Sequence, residues 1–229
     1  MLLAVETSGT QGSIAIFAGT QVLCERVLSV SGPRHAQTLP AEVAAALADN
    51  NLQPNAIRSI AVSIGPGSFT GLRVGVTFAK TFAWLNDARL VAVDTLRAIA
   101  QQVSAEMEFV TAIADAQRSE FFMATYRWNP ELHLRCAVDD VRVAGIDELP
   151  TDYPIAGPAA GKLAEVLPAR FKVVDQSLWQ PHAVNIGLIG QQMLNSQQFA
   201  APDSLEPVYI RLSYAEEKRR EAVPPNAFP

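Results

Sequence analysis

Cysteine, histidine and runs of like charge are what this sequence has least of. Its two cysteines, Cys24 and Cys136, lie far apart and form no C-x-x-C pattern. That spacing suits reduced, buried thiols in a cytosolic protein and leaves a single disulfide open. The three histidines, His35, His133 and His182, are scattered, and His35 has Leu39 rather than a second histidine four residues on. With no helix-borne histidine pair, no metal-ligating set is expected. No G-x-S-x-G elbow occurs and neither cysteine sits in a nucleophile signature, so covalent catalysis has no obvious carrier. No apolar stretch approaches the roughly 18 residues that a membrane-spanning helix needs. The opening Met-Leu-Leu-Ala-Val-Glu is too short an apolar run for a signal peptide and has no basic segment. A cytoplasmic protein without membrane contact is expected. Basic runs are missing before Lys218-Arg219-Arg220, and the formal net charge is −5. Gripping RNA by phosphate neutralisation alone calls for the opposite balance, so any nucleic-acid contact should be indirect or shared with a partner.

What is present is an ordinary globular core. Apolar residues make up 49% of the chain and charged ones 18%, and 229 residues suffice for two small domains. Leu2–Val5 and Ser13–Phe17 are apolar strands around a polar turn, with a third strand expected over Val22–Val30. Ser31-Gly32-Pro33-Arg34-His35 breaks the pattern. Leu39, Val43 and Leu47 then recur at helical spacing up to Asn50, with Pro40 expected in the first turn. A strand over Ile57–Ile64 leads through Gly65-Pro66-Gly67-Ser68 into a helix over Phe69–Leu85, with Ser68 as its N-cap. Leu90–Val93 reads as a strand and Thr95–Val103 as a helix. From Met107 the plan repeats: strand Phe109–Ala114, turn Asp115–Ser119, strand Glu120–Tyr126. Two related halves are suggested, 1–104 and 105–214. The second half continues with strand Tyr153–Ala156, a turn from Gly157 and a helix over Val184–Leu194. The polar segment 215–229 buries almost nothing apolar and is expected to be disordered.

Two loops have the composition of anion sites. Glu6-Thr7-Ser8-Gly9 offers backbone N–H groups and a carboxylate that could orient a metal-bound water, but the same residues equally make a plain hairpin turn. Gly65, Gly67 and Ser68 lie between a buried strand and a helix N-terminus, the right setting for an anion, or for nothing more than a tight turn. Neither loop is a Walker A motif, since no Lys-Ser/Thr pair follows the glycines. The helix after Ser68 carries Gly71, Gly75, Ala79 and Ala83 at every fourth position, a stripe that admits another backbone closely. Arg73, Thr77, Lys80 and Trp84 form one polar ridge beside it. That helix either lies wholly inside its own fold or turns part of its surface to another subunit, and tryptophan and arginine favour the second.

At these residues the sequence resembles a known family. LLAVETSGTQGSIAI, GPGSFTGLRVGVTFAKTFAW and LEPVYIR…AEEKR, with DTLRAIAQQ and DAQRSEFFMATY between them, resemble the bacterial TsaB family, also called YeaZ. The resemblance implies an α/β fold of two actin-like domains, as in sugar kinases and Hsp70 ATPases, with a degenerate and smaller second domain. It implies a non-catalytic subunit that dimerises with a metal-dependent paralogue, TsaD, and works with the ATPase TsaE. Together these install threonylcarbamoyl on the adenosine beside the anticodon of certain tRNAs. The family's first two long helices face TsaD, or a second copy when the chain is alone, which by position gives Leu39, Val43, Arg73, Val74, Thr77, Lys80 and Trp84. No cofactor of its own is implied, and ATP or ADP would bind only within the partner complex. The vestigial phosphate turns are Glu6, Thr7, Ser8, Gly9, Gly65, Gly67 and Ser68. The competing readings are a stand-alone ATP-dependent kinase or ATPase of the same fold and a metallopeptidase. The glycine-free turn at Asp115 counts against the first and the missing histidine pair against the second.

Overall fold

The structure, a computed structural model, describes the backbone of residues 1–28, 35–166 and 170–210 and their side chains except those of 35–37 and 164–166. The break expected at 31–34 and the tail from Ala215 lie outside the described residues.

The first sheet is built from β1 (Leu2–Glu6), β2 (Ser13–Ala18), β3 (Gln21–Val27), β4 (Ser59–Ser63) and β5 (Arg89–Val93), in the order β3-β2-β1-β4-β5. β1, β4 and β5 run parallel, while β2 and β3 return antiparallel. These strands read as nearly unbroken apolar runs because both faces are covered. Leu3, Val5, Ile14, Ile16, Ile60 and Val62 point into one core layer with α1 (His35–Asp49) and α2 (Phe69–Asn86). Leu2, Ala4, Ala15, Phe17, Ala61 and Val91 point into the other, against Ala183, Ile186 and Ile189 of a helix from the far end of the chain. That helix, Ala183–Asn195, lies directly on β1, β2, β4 and β5. It comes that close because Gly190 needs no side-chain space, where a Cβ would stand 2.6 Å from that of Ala61.

α3 (Thr95–Gln101) leads to the second sheet, formed by β6 (Phe109–Asp115), β7 (Phe121–Asn129), β8 (Leu134–Ala137), β9 (Arg142–Ala144) and β10 (Ile155–Ala156). Its order is β10-β6-β7-β8, with β9 also on β7. It is the smaller unit, with strands as short as two residues and α4 (Ala160–Val166) beside it. The fold is thus the expected α/β pair of mixed sheets. The expected boundary at residue 104 falls in the loop between α3 and β6. The segment from Ala183 onward, grouped above with the second half, packs on the first sheet as α5. Pro40 sits inside α1 rather than in its first turn, because the helix already starts at His35.

The joint between the sheets is fastened by buried polar contacts. Arg135 on β8 is fully buried and its guanidinium donates to the carbonyls of Val103 (3.2 Å), Ser104 (2.8 Å) and Glu108 (3.1 Å), all on the connecting loop. Burial pulls its pKa down, and its Nε has no partner. Asp94, the N-cap of α3, accepts from Leu96 N–H at 2.8 Å and from the Tyr126 hydroxyl of β7 at 2.5 Å. Burial raises the Asp94 pKa against those hydrogen bonds, and burial and the Asp94 charge push Tyr126 up. Gln102 donates to the carbonyl of Gln180 at 2.7 Å, tying together the two segments that run between the sheets.

Candidate functional site

Glu6 ends β1 and is fully buried, so its carboxylate must find donors nearby. One oxygen, Oε1, accepts from the Ser8 N–H, from Ser8 Oγ at 2.6 Å and from the Gly9 N–H at 3.2 Å. The other, Oε2, has no partner. Burial raises the Glu6 pKa, while the hydrogen bonds of Ser8, Ser63 and Gly9 work the other way. The second loop packs directly on this turn. Ser68 N–H donates to Ser8 O at 2.8 Å, and a Cβ on Gly67 would stand 2.6 Å from that oxygen. Thr7 Oγ1 donates to Gly71 O at 2.8 Å, and side chains at Gly71 or Gly75 would overlap Thr7. The small stripe of α2 therefore exists to let the helix lie against the end of β1. Ser68 caps α2, accepting from Gly71 N–H at 3.3 Å. Gly65, at φ +114, donates its N–H to Thr95 Oγ1 at 3.2 Å.

Glu6, Thr7, Ser8, Gly9, Gly65, Gly67 and Ser68 thus do converge, but their donors are used inside the chain. Gln180 and Pro181 close over Gly9, within 3.2–3.3 Å of where its Cβ would be, and Thr10 bonds Gln180 at 3.3 Å. A bound nucleotide phosphate, which the fold class implies, does not fit this turn, since a carboxylate already holds the N–H groups that would receive it. Sequence reasoning missed Ser63, Gln180 and Pro181, which carry no motif and reach the turn only through tertiary packing.

The second turn is built otherwise. Asp115 is half-exposed; it accepts from the Gln117 N–H at 2.9 Å and from Lys162 Nζ at 2.7 Å. Partial burial raises its pKa, but Lys162 and the Gln117 N–H outweigh that and hold it below the usual carboxylate range. Gln117, Arg118 and Ser119 all have left-handed backbones, with φ of 65°, 55° and 61°.

Of the residues expected at a partner face, Leu39 and Val43 are buried in the chain's own core, so they offer nothing to a partner. They form the apolar line of α1, and such a line marks the inward side of a helix. Val74 is half-buried against the same core. Arg73 and Lys80 are held by a strap of the chain's last described residues. Arg73 stacks 3.9 Å from the Phe69 ring and its Nε donates to Tyr209 Oη at 3.1 Å. Lys80 Nζ donates to the carbonyls of Asp203 (3.4 Å) and Leu205 (3.0 Å). Val208 N–H reaches Ile64 O at 2.8 Å, fastening the strap beside α2. Thr77 is exposed. Trp84 is 78% exposed and Leu85, which the ridge pattern passed over, 68%. On α1, Pro40, Ala41, Ala44 and Ala48 are exposed.

Among the described residues no group of three His, Cys, Asp or Glu side chains could hold a metal ion. His133 meets the Trp128 ring edge-on and His182 Nδ1 lies 3.8 Å from Glu25 Oε1. Cys24 and Cys136 are free thiols. Among the described residues no helix is long and apolar enough to cross a membrane.

Comparison with known proteins adds three likenesses. A family model described as TsaD, tRNA N6-adenosine threonylcarbamoyltransferase, matches residues 27–203. The tRNA threonylcarbamoyladenosine biosynthesis protein TsaB of Bacillus subtilis is 28% identical over 227 residues, spanning 95% of this chain and 96% of that one. A solved structure from Pseudomonas aeruginosa, of a protein described as similar to peptidase YEAZ, superposes at a TM-score of 0.81 with 25% identity over 92% of this chain and 99% of its own. YeaZ from the same organism gives 0.80 and 24% over 91% and 98%.

Proposed function

The chain belongs to the TsaD family, and on that premise we propose that it is a non-catalytic scaffold for a catalytic TsaD-like paralogue in making tRNA threonylcarbamoyladenosine. A part in that synthesis goes with the full-length likeness to TsaB. The observation that carries the scaffold reading is the bare end of α2. Trp84 and Leu85 stand in water on a helix whose other faces are packed, beside the small residues Ala44 and Ala48 of α1. A large aromatic on a flat, small-residue surface is the composition of an interface centre. The partner face is therefore Thr77, Trp84 and Leu85 with the outer side of α1, while Arg73 and Lys80 act through the strap they hold. Alone, the chain uses the same face to pair with a second copy. A TsaE-like ATPase joins the assembled pair, tRNA is gripped mainly by the partner, and ATP or ADP binds only within that complex.

Sedimentation of the chain with its TsaD-like subunit, alongside a threonylcarbamoyl-transfer assay on tRNA, tests this. Neither subunit alone should modify tRNA. Trp84→Ala should leave the fold intact and weaken pairing by about 2 kcal/mol, roughly thirtyfold. Unchanged pairing in both Trp84→Ala and Leu85→Ala would place the interface elsewhere. Steady ATP turnover by the isolated chain, lost on Asp115→Ala, would make it a kinase or ATPase in its own right.

A further inference from the structure

We propose that Glu6 is a tethered anion filling the chain's own oxyanion hole, a site of phosphate class that opens when that carboxylate is removed. This stands apart from the partner reading, since it concerns one turn and needs no second protein.

Three donors converge on a single point: the Ser8 N–H, the Gly9 N–H and Ser8 Oγ, the last two at 3.2 and 2.6 Å from Glu6 Oε1. Buried N–H groups must be satisfied, and successive N–H groups of a turn aimed at one point make a concavity for an anion. The carboxylate that fills it is poorly matched to its surroundings. Oε1 takes all three donors while Oε2, fully buried, takes none. A group placed for its own hydration would not leave one oxygen orphaned; the lopsided arrangement follows if the hole demands an oxygen and the side chain can deliver only one. The walls are rigid. Ser8 O is fixed by Ser68 N–H at 2.8 Å, and Gly67 presses against it with no room for a Cβ. The mouth is lined by Thr10, Gln180 and Pro181. Glu6 supplies the negative charge that the three donors attract, and a free oxyanion must displace it.

The full-length chain, with inorganic pyrophosphate as probe, decides the matter by calorimetry on wild type, Glu6→Gln and Glu6→Ala. In Glu6→Gln the new side-chain amide oxygen still occupies the hole, so that variant should bind pyrophosphate no better than wild type. Glu6→Ala empties it and should bind at least tenfold more tightly than either. Equal affinity in all three, or a folded Glu6→Ala protein that binds nothing, overturns the proposal and leaves Glu6 as a turn-stabilising residue. Should Glu6→Ala not fold, wild type alone still decides it by NMR. Scalar coupling from the Ser8 amide nitrogen to the Glu6 side-chain carboxyl carbon, transmitted through the hydrogen bond, is expected. Its absence, with Ser8 and Gly9 amides exchanging freely with solvent, refutes the filled hole. Failure here would leave partner binding by α2 untouched.

Discussion

A carboxyl group sealed from water holds its proton more tightly, and the consequence for Glu6 can be signed. Its ordinary value is 4.5 and burial puts the folded value higher. The stability that comes from the held proton is complete below 4.5 and is lost as pH rises through the folded value, after which a constant cost remains. Wild type should therefore weaken relative to Glu6→Gln across that window in urea titrations, then run parallel to it. A difference that stays flat from below 4.5 up to neutrality contradicts the burial. Ser119 offers a second test of one side chain. Its φ of 61° costs an ordinary residue about 1 kcal/mol, a cost glycine avoids. Ser119→Gly should raise the urea midpoint by an amount equivalent to roughly 0.5–1 kcal/mol. A lowered midpoint would mean that the hydroxyl contributes more than the backbone loses. Both residues were visible in the sequence as turn chemistry. What the sequence could not reveal was that one carboxylate answers its own turn, because three donors meet at Oε1 only after β1, β2 and the loop before α2 have packed.

At the scale of the element, α2 divides into two surfaces with opposite sensitivities. Gly71 and Gly75 touch Thr7 so closely that a methyl group at Gly71 overlaps a backbone oxygen, which cannot swing aside. Gly71→Ala should cost about 1–3 kcal/mol in folding stability, read from urea or thermal melts. Trp84→Ala, in water on the other side, should change the same reading by no more than about 0.5 kcal/mol. Equal effects at both positions would refute the assignment of faces. The helix itself was legible down to its N-cap, since Ser68 and the every-fourth-residue stripe are local signals. Its outward side was not, because apolar residues ring most of the helix and periodicity then points nowhere in particular. The strap over Arg73 and Lys80 was also hidden, for it contacts α2 through backbone carbonyls that no side-chain pattern announces. β8 went unseen for a related reason. Its four residues include a buried arginine, which breaks an apolar strand pattern, and the carbonyls that accommodate Arg135 lie about thirty residues earlier in the chain.

For the molecule as a whole, the joint between the sheets is a latch. Arg135 gathers three carbonyls of the connecting loop, and Tyr126 bonds the cap of α3. Arg135→Ala would strand those carbonyls and should destabilise the chain by about 3 kcal/mol. Amide exchange in 102–108 should quicken with it; an unchanged segment would show that the loop is held by something else. The two-sheet plan was readable from paired hairpins, but the course of the chain between the sheets was not. α5 looked from sequence like part of the second half, and only its placement on Ala4, Ala15 and Ala61 shows that it completes the first. That arrangement has a price during synthesis. When β5 has left the ribosome, the first sheet can assemble, yet one of its faces, with Leu2, Phe17, Ala61 and Val91, stays bare until about a hundred further residues have been added. At ordinary bacterial translation speeds that is roughly 5–20 s of uncovered apolar surface on a nascent chain. The protein should consequently lean on chaperones that meet chains at the exit tunnel, and stalled or prematurely stopped chains lacking Ala183–Asn195 should accumulate as aggregate rather than as a folded half.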